Sequence, residues 1–321
     1  MIHQIVEIQE ENRYLSLNRG FLSINEGGTV IANVPLDDIA VLLVSAQHVS
    51  FSKHILTELA QRGGIAVLCG KNYAPQSIVM PVSGHYMQAG IIKTQIDASE
   101  PFKKNIWKQI IESKLSNQAR TLSAVGKTKQ AKHLGAIAAT VKSGDSDNRE
   151  GYGAKLYWKA LFGKEWIREK EGGDGINAFL NYGYAVARAA VARAICASGL
   201  LPSLGVYHKN QLNPFCLADD FLEPFRPIVD LCVYAISKQL GQSGQSESAG
   251  LTPAIKKELA DVLWAKLQTT EGNSPLFQAM HYLCTSYVKA LKLKKPVIDI
   301  PRWEQQAEES QFERISDIEQ I

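Results

Sequence analysis

Two hydrophobic periodicities divide the chain. Over residues 1–95, apolar and polar positions alternate in short runs punctuated by Gly, Asn and Pro. RYLSLNRGFLSI alternates on either side of Asn18–Gly20, which predicts a hairpin. Further strands are predicted at 3–9, 29–35, 39–44, 65–69 and 77–82. Between them FSKHILTELAQRG shows three- and four-residue apolar spacing and runs into Gly63–Gly64, which predicts a helix with a C-terminal stop.

From residue 96 onward the period changes to that of a helix. Helices are predicted at 102–125, 131–141, 150–162, 176–197, 220–240, 253–269 and 274–292. No strand is predicted beyond Met87, and no repeat of 20–50 residues is present. SGDSDN (143–148) and GQSGQSESAG (241–250) read as polar loops. The pattern describes an α+β protein: a β-rich N-terminal domain (1–95), an all-α domain (96–303) and an acidic tail (304–321) with six acids against one arginine.

Composition narrows the class. A chain of 321 residues, 45% hydrophobic and 21% charged, is long enough for about two globular domains and is neither disordered nor fibrous. Its apolar runs fall far short of the roughly 20 residues of a bilayer span. Glu7, Glu10 and Glu11 interrupt the place where a signal peptide would be apolar. A soluble, cytoplasmic protein with no membrane partner is expected. The five cysteines have no C-x-x-C spacing and mostly apolar neighbours, so they read as buried free thiols.

The net charge of +3 is small, but residues 96–135 carry 8 basic and 3 acidic groups while the other segments are close to balanced. Such a local excess speaks about partners and not about fold. The candidates are Lys103, Lys104 and Lys108, followed by Lys114, Arg120, Lys127, Lys129 and Lys132. An apolar stripe of Ile106, Ile110, Ile111 and Leu115 can pack while the lysines point outward. They would then form either a solvated face or a grip on a DNA backbone.

Nucleotide, zincin, hydrolase-triad and dinucleotide fingerprints are all absent. Three places in the helical half remain. Glu150 opens a helix after a polar loop, with Arg149 and Lys155 close by; it complements the helix N-terminus or serves as a ligand. His208 follows a Gly-containing turn beside Lys209; alone, it reads equally as surface or core filler. Asp220 and Glu223 share a helix face, and Arg226 one turn on could turn them into a structural ion-pair cluster. Taken together, separated carboxylates and an imidazole suit Mg2+ or Mn2+. A divalent cation among Arg149, Lys155, Lys209 and Arg226 points to phosphodiester chemistry.

NREGYGAKLYWKALFG, INAFLNYGYAVARAAVARAICASGLLPSLGVYHKNQLNPF and LADDFLEPFRPIVD occur in this order through residues 147–230. They resemble the catalytic subunit of the CRISPR spacer-acquisition integrase, and its type II branch most closely, given EPFRP and the short N-terminal half. The resemblance implies a metal site of Glu150, His208 and Glu223, with Asp220 as a neighbouring acid. Other branches carry an aspartate where Glu223 stands. It also implies a β-rich dimerisation domain before a helical catalytic domain, a homodimer, a small ferredoxin-like adaptation partner, and type II accessory and effector proteins.

The function expected from the resemblance is a metal-dependent DNA integrase or endonuclease acting on double-stranded and branched DNA. It would join 3′-hydroxyl ends of short foreign DNA to the repeat array by transesterification. A free-standing nuclease using water at the same site and a non-catalytic DNA scaffold are its competitors. The acidic tail is outside the matched pattern.

Overall fold

The alternating first part of the chain forms two four-stranded sheets. In one, the meander β2 (Arg13–Asn18), β3 (Phe21–Glu26) and β4 (Thr29–Pro35) is extended by β6 (Val49–Phe51), which runs parallel to β2. The other has the order β1 (Gln4–Ile8), β5 (Ile39–Val44), β7 (Ile65–Cys69) and β8 (Pro75–Val79), and all its pairs except β7–β8 are parallel. These relationships come from a computed structural model, which describes residues 4–70, 75–81, 85–169, 175–242 and 250–303. The tail 304–321 and most of the loop 241–250 lie outside the described residues.

The run IAVLLV of β5 is continuously apolar because both its faces are covered. Leu42 and Val44 join Leu15, Leu22 and α1 (Lys53–Gln61) in a small core. Val41 and Leu43, with Ile65 and Val67 of β7, face the other way into the large core of the helical half. The sheet is therefore a shared wall between two cores. α2 (Gln88–Ile96) crosses residue 95 and places Ile91 in the large core, so packing is continuous there.

The helical half is built around α3 (Glu100–Ala124), which starts at Ser99, whose hydroxyl accepts the Phe102 N–H. α4 (Thr128–Ala138), α5 (Arg149–Leu161), α6 (Ile176–Ala197), α7 (Cys216–Leu222), α8 (Arg226–Gln242), α9 (Pro253–Asp261) and α10 (Leu276–Leu293) follow. Apolar side chains cover α6 nearly all round, as a central helix requires. Among the described residues no helix is long and apolar enough to cross a membrane.

Between α7 and α8 the chain breaks its helical ladder over a 3-10 turn, Glu223–Phe225. Pro224 and Pro227 cannot donate backbone hydrogen bonds, so the ladder is interrupted here. α3 braces the break: Asn117 Nδ2 donates to Pro224 O at 2.7 Å and Thr121 Oγ1 to Pro227 O at 2.9 Å. The break is thereby anchored to the central helix.

Three expectations need correction. α2 and the three-residue β6 are elements the periodicity did not reveal. The helix expected over 253–269 ends at Asp261; after a 3-10 turn at Val262–Trp264 come β9 (Lys266–Thr269) and β10 (Gly272–Pro275), an antiparallel pair where no strand was expected. The lysines of α3 do not all point outward either: Lys114 is buried.

Candidate active site

Glu150 is placed by a cap. Residues of the polar loop form a 3-10 turn at Ser143–Asp145, and Asn148 takes a left-handed conformation before α5. Asp145 accepts the Arg149 and Glu150 N–H groups at 2.8 and 3.1 Å, and Asn148 Oδ1 accepts the Gly151 N–H at 3.1 Å. Three of the otherwise unpaired donors at the helix start are satisfied this way, which fixes the first turn. Gly153 on the next turn lets α5 close on α3: a Cβ there would stand 2.3 Å from Leu115 Cδ2.

Glu223 comes from the anchored break between α7 and α8, and it converges with Glu150 on Lys114 of α3. Lys114 Nζ lies 2.6 Å from Glu150 Oε1 and 2.6 Å from Glu223 Oε2. Glu223 Oε2 is buried, with the Lys114 ammonium as its ion-pair partner. Glu223 Oε1 accepts from Arg226 Nε at 3.0 Å. Burial alone would raise the Glu223 pKa, but Arg226 and Lys114 outweigh it and hold the carboxyl at about 2. Burial likewise disfavours the Lys114 ammonium, and the two carboxylates more than reverse this.

Sequence reading placed Lys114 only in the basic segment. The signal that marks it is its position three, four and seven residues after Ile111, Ile110 and Trp107, all buried, which puts it on the packed face of α3.

His208 sits on the loop between α6 and α7, and Asp220 fixes that loop. The fully buried carboxylate accepts backbone N–H groups from Val206, Tyr207 and His208 at 2.5, 3.0 and 3.2 Å. Its Oδ1 also lies 2.6 Å from His208 Nδ1. This bond raises the imidazole pKa, and burial partly opposes it. Gly205 makes the tight loop possible: a Cβ there would meet His208 O at 2.3 Å and Asp220 Oδ2 at 2.9 Å. Asp219 is used elsewhere, as Arg188 Nε and Nη2 clamp its two oxygens at 2.6 and 2.9 Å.

A second buried layer supports Arg226. Its guanidinium lies 4.6 Å from the centroid of the Tyr184 ring. The hydroxyls of Tyr184 and Tyr157 both donate to Asp230. Burial pushes the Asp230 carboxyl up to about 7, against the pull of the tyrosine hydroxyls and arginines.

The other basic candidates are dispersed. Lys104 and Lys155 are exposed; Lys103 and Lys108 are half-buried, and Lys108 pairs with Glu112 at 3.5 Å. The methylenes of Lys104 cover Gly144, beside the turn that precedes α5. Lys209 pairs with Glu100 at 3.1 Å, and Arg149 reaches Asp147 at 3.8 Å.

A hard divalent cation can be tested against this arrangement. Among the described residues no three His, Cys, Asp or Glu side chains converge closely enough to enclose a metal ion. Two carboxylates share one ammonium instead. The donor chemistry nevertheless fits: Glu223 Oε2 and Glu150 Oε1 are carboxylate oxygens that already turn toward one buried cation, and Asp220 engages Nδ1 of His208, which leaves Nε2 to ligate.

Comparisons with known proteins bear on the family and the fold. Residues 6–261 match the family model described as CRISPR associated protein Cas1. A CRISPR-associated endonuclease Cas1 of Neisseria meningitidis serogroup C is 38% identical over 273 residues, covering 85% of this chain and 87% of its own. A second such endonuclease, from Pyrobaculum aerophilum, is 27% identical over 282 residues, covering 84% and 93%. Among solved structures, a casposase bound to integration product superimposes with a TM-score of 0.77 at 20% identity, covering 98% of this chain and 99% of that one. A CAS1 protein from Thermotoga maritima gives 0.73 at 16% identity, covering 94% and 100%. At these identities the two structures speak for the fold, which is the α+β arrangement expected from the sequence.

Proposed function

The chain belongs to the CRISPR associated protein Cas1 family, and we propose that it is a metal-dependent DNA integrase and endonuclease of CRISPR adaptation, joining 3′-hydroxyl ends of short foreign DNA to a repeat array. The observation that carries this reading is the convergence of Glu150 and Glu223 on one buried cation, next to a histidine whose Nδ1 is already engaged. Its relatives are named endonucleases, and the casposase was solved with an integration product. Cleavage and joining differ only in whether water or a 3′-hydroxyl attacks phosphorus.

Glu150, Glu223 and His208 Nε2 would hold Mg2+ or Mn2+. Such an ion stabilises charge on the attacked phosphate and on the entering and leaving oxygens. The remaining work falls to this chain's own side chains. Asp220 keeps the imidazole oriented and its Nε2 outward. Arg226 holds Glu223 ionised and fixes its rotamer, and Tyr184 backs Arg226 in turn. The incoming hydroxyl oxygen bonds to phosphorus as the bond to the outgoing 3′-oxygen breaks, so the number of phosphodiesters is unchanged. The hydroxyl proton passes to solvent and the outgoing oxygen takes one up.

Lys103, Lys104 and Lys108 at the start of α3 would hold incoming duplex. Arg149, Lys155, Lys209 and Arg226 would lie nearer the reacting phosphate. A homodimer formed through the β-rich domain, a small ferredoxin-like partner, and type II accessory and effector proteins complete the proposed assembly. Solved complexes in which a Cas1 fusion occurs with Cas2, and a Cas1 with DNA, support partners of these two kinds.

The test is product analysis on labelled branched DNA with Mg2+ or Mn2+. The integrase reading expects rejoined strands longer than either substrate strand, abolished by chelator. Shortened strands alone would replace it with a nuclease that uses water, and products formed in chelator would remove the metal.

A further inference from the structure

Beside the proposed site stands an aromatic ring that neither the core nor the metal reading uses. Tyr207, which immediately precedes His208, is 52% exposed, although it lies in parallel contact with a buried tryptophan. Its ring stacks on Trp107 of α3 at a centroid distance of 4.3 Å and an interplanar angle of 3°. Trp107 is 1% exposed and its indole N–H has no hydrogen-bond partner, so packing alone holds this backing ring. One face of Tyr207 is thus covered and rigid while much of the ring meets water. A ring backed on one side and open on the other offers a flat face on which a further ring can stack.

The position of the ring relative to the chemistry is also fixed. Asp220 accepts the Tyr207 backbone N–H through Oδ2 at 3.0 Å, and through Oδ1 it holds His208 at Nδ1. One buried carboxylate therefore sets both residues. The Tyr207 and His208 rings meet edge to face, with centroids 5.7 Å apart and planes at 85°. Trp107 meets His208 in the same way at 5.8 Å. A phosphodiester held at His208 would carry its nucleoside's base to the neighbouring ring, and that ring offers a flat, preordered face.

We propose that Tyr207 is a nucleobase platform: with Trp107 behind it, its open face stacks on the base flanking the phosphodiester engaged at Glu150, His208 and Glu223. The proposal rests on the DNA-joining reading above. Stacking accepts any base, so the platform contributes affinity and places the phosphate without reading sequence. Its apolar face requires an unstacked base, which favours a junction or fork over continuous duplex.

The test uses the full-length chain and a branched DNA with 2-aminopurine on one side or the other of the junction phosphate. DNA affinity is read by anisotropy, and stacking by rapid-mixing fluorescence in Mg2+ before products form. Wild type and Tyr207→Phe should quench one of the two probes and bind alike. Tyr207→Leu, which keeps apolar bulk but no ring, should leave that probe unquenched and bind about tenfold more weakly. Unquenched probes in a wild-type complex that forms, or equal quenching in Tyr207→Leu, would overturn the platform and leave the joining reading intact. Wild-type protein that does not bind branched DNA would overturn both. The wild-type signal decides the matter even if a variant folds poorly.

Discussion

Lys114 Nζ lies 2.6 Å from Glu223 Oε2, and at the same distance it reaches Glu150 Oε1. A lysine from the central helix thus holds together two acids that come from elements 73 residues apart in the chain. Without it the two carboxylates would face one another with no cation between them. Replacing one partner of such a buried pair costs about 3–5 kcal/mol. Lys114→Met should lower the melting temperature accordingly, and Mn2+ should restore far more of the loss in the variant than it adds to wild type. Thermal denaturation with and without Mn2+ measures this. A loss indifferent to Mn2+ would show that the pocket does not accept a divalent cation.

The bond from Asp220 to His208 predicts a pH dependence. It raises the imidazole pKa above 6.5, and a metal binds only the neutral ring, so protons compete with the metal as pH falls. Strand joining at limiting Mn2+ should decline on the acid side of that raised pKa. Asp220→Asn removes the charge that raises it, so the acid limb should move to lower pH even though the rate at the optimum drops. Profiles from about pH 5.5 to 8.5 test the sign. A limb that stays in place or moves up would mean that His208 does not set it.

Gly205 has no room for a side chain, because a Cβ would fall 2.3 Å from the backbone oxygen of His208. Backbone cannot yield as a flexible side chain does. Gly205→Ala should displace His208 and reduce joining at least 100-fold, in line with about 10²-fold for a displacement of order 1 Å, while salt-sensitive DNA binding persists. Gel-shift and joining assays on the same preparation check this, and full activity would contradict the geometry described for the loop.

Lys103, Lys104 and Lys108 occupy the first turns of α3. Reversing their charge should weaken DNA binding and flatten the dependence of log affinity on log salt, by about one unit of slope for each phosphate that is no longer neutralised. Titrations at several salt concentrations give the slope. An unchanged slope would place the DNA track on another face.

The fold class could be read from the change of period near residue 96 because each half buries faces in its own way. α6 was legible residue for residue, since its apolar positions run all round it. The β9–β10 pair was not. Ile255, Leu259, Val262, Leu263 and Leu267 keep helical spacing through the point where the helix ends, and two four-residue strands are too short to announce a period of two. β6, with three residues, is shorter still.

At the site, the two glutamates and the histidine stood out through their motifs. Lys114 was hidden because a lysine among lysines reads as surface; its register against Trp107, Ile110 and Ile111 separates it from Lys104 and Lys108, whereas Lys103, three turns earlier on the same face, is only half-buried at the helix start. The sequence marks Asp220 as a neighbouring acid, but its grip on three successive backbone N–H groups depends on a loop conformation that no periodicity encodes.

The most direct test of the account compares wild type with His208→Ala on one labelled branched DNA, measuring strand joining in Mg2+ or Mn2+ together with DNA affinity. Joined strands should disappear in the variant, as they should for wild type in chelator, while the affinity for DNA is kept. Joining that survives in His208→Ala, or affinity lost in step with activity, would contradict the assignment of Glu150, His208 and Glu223 as the centre of the chemistry.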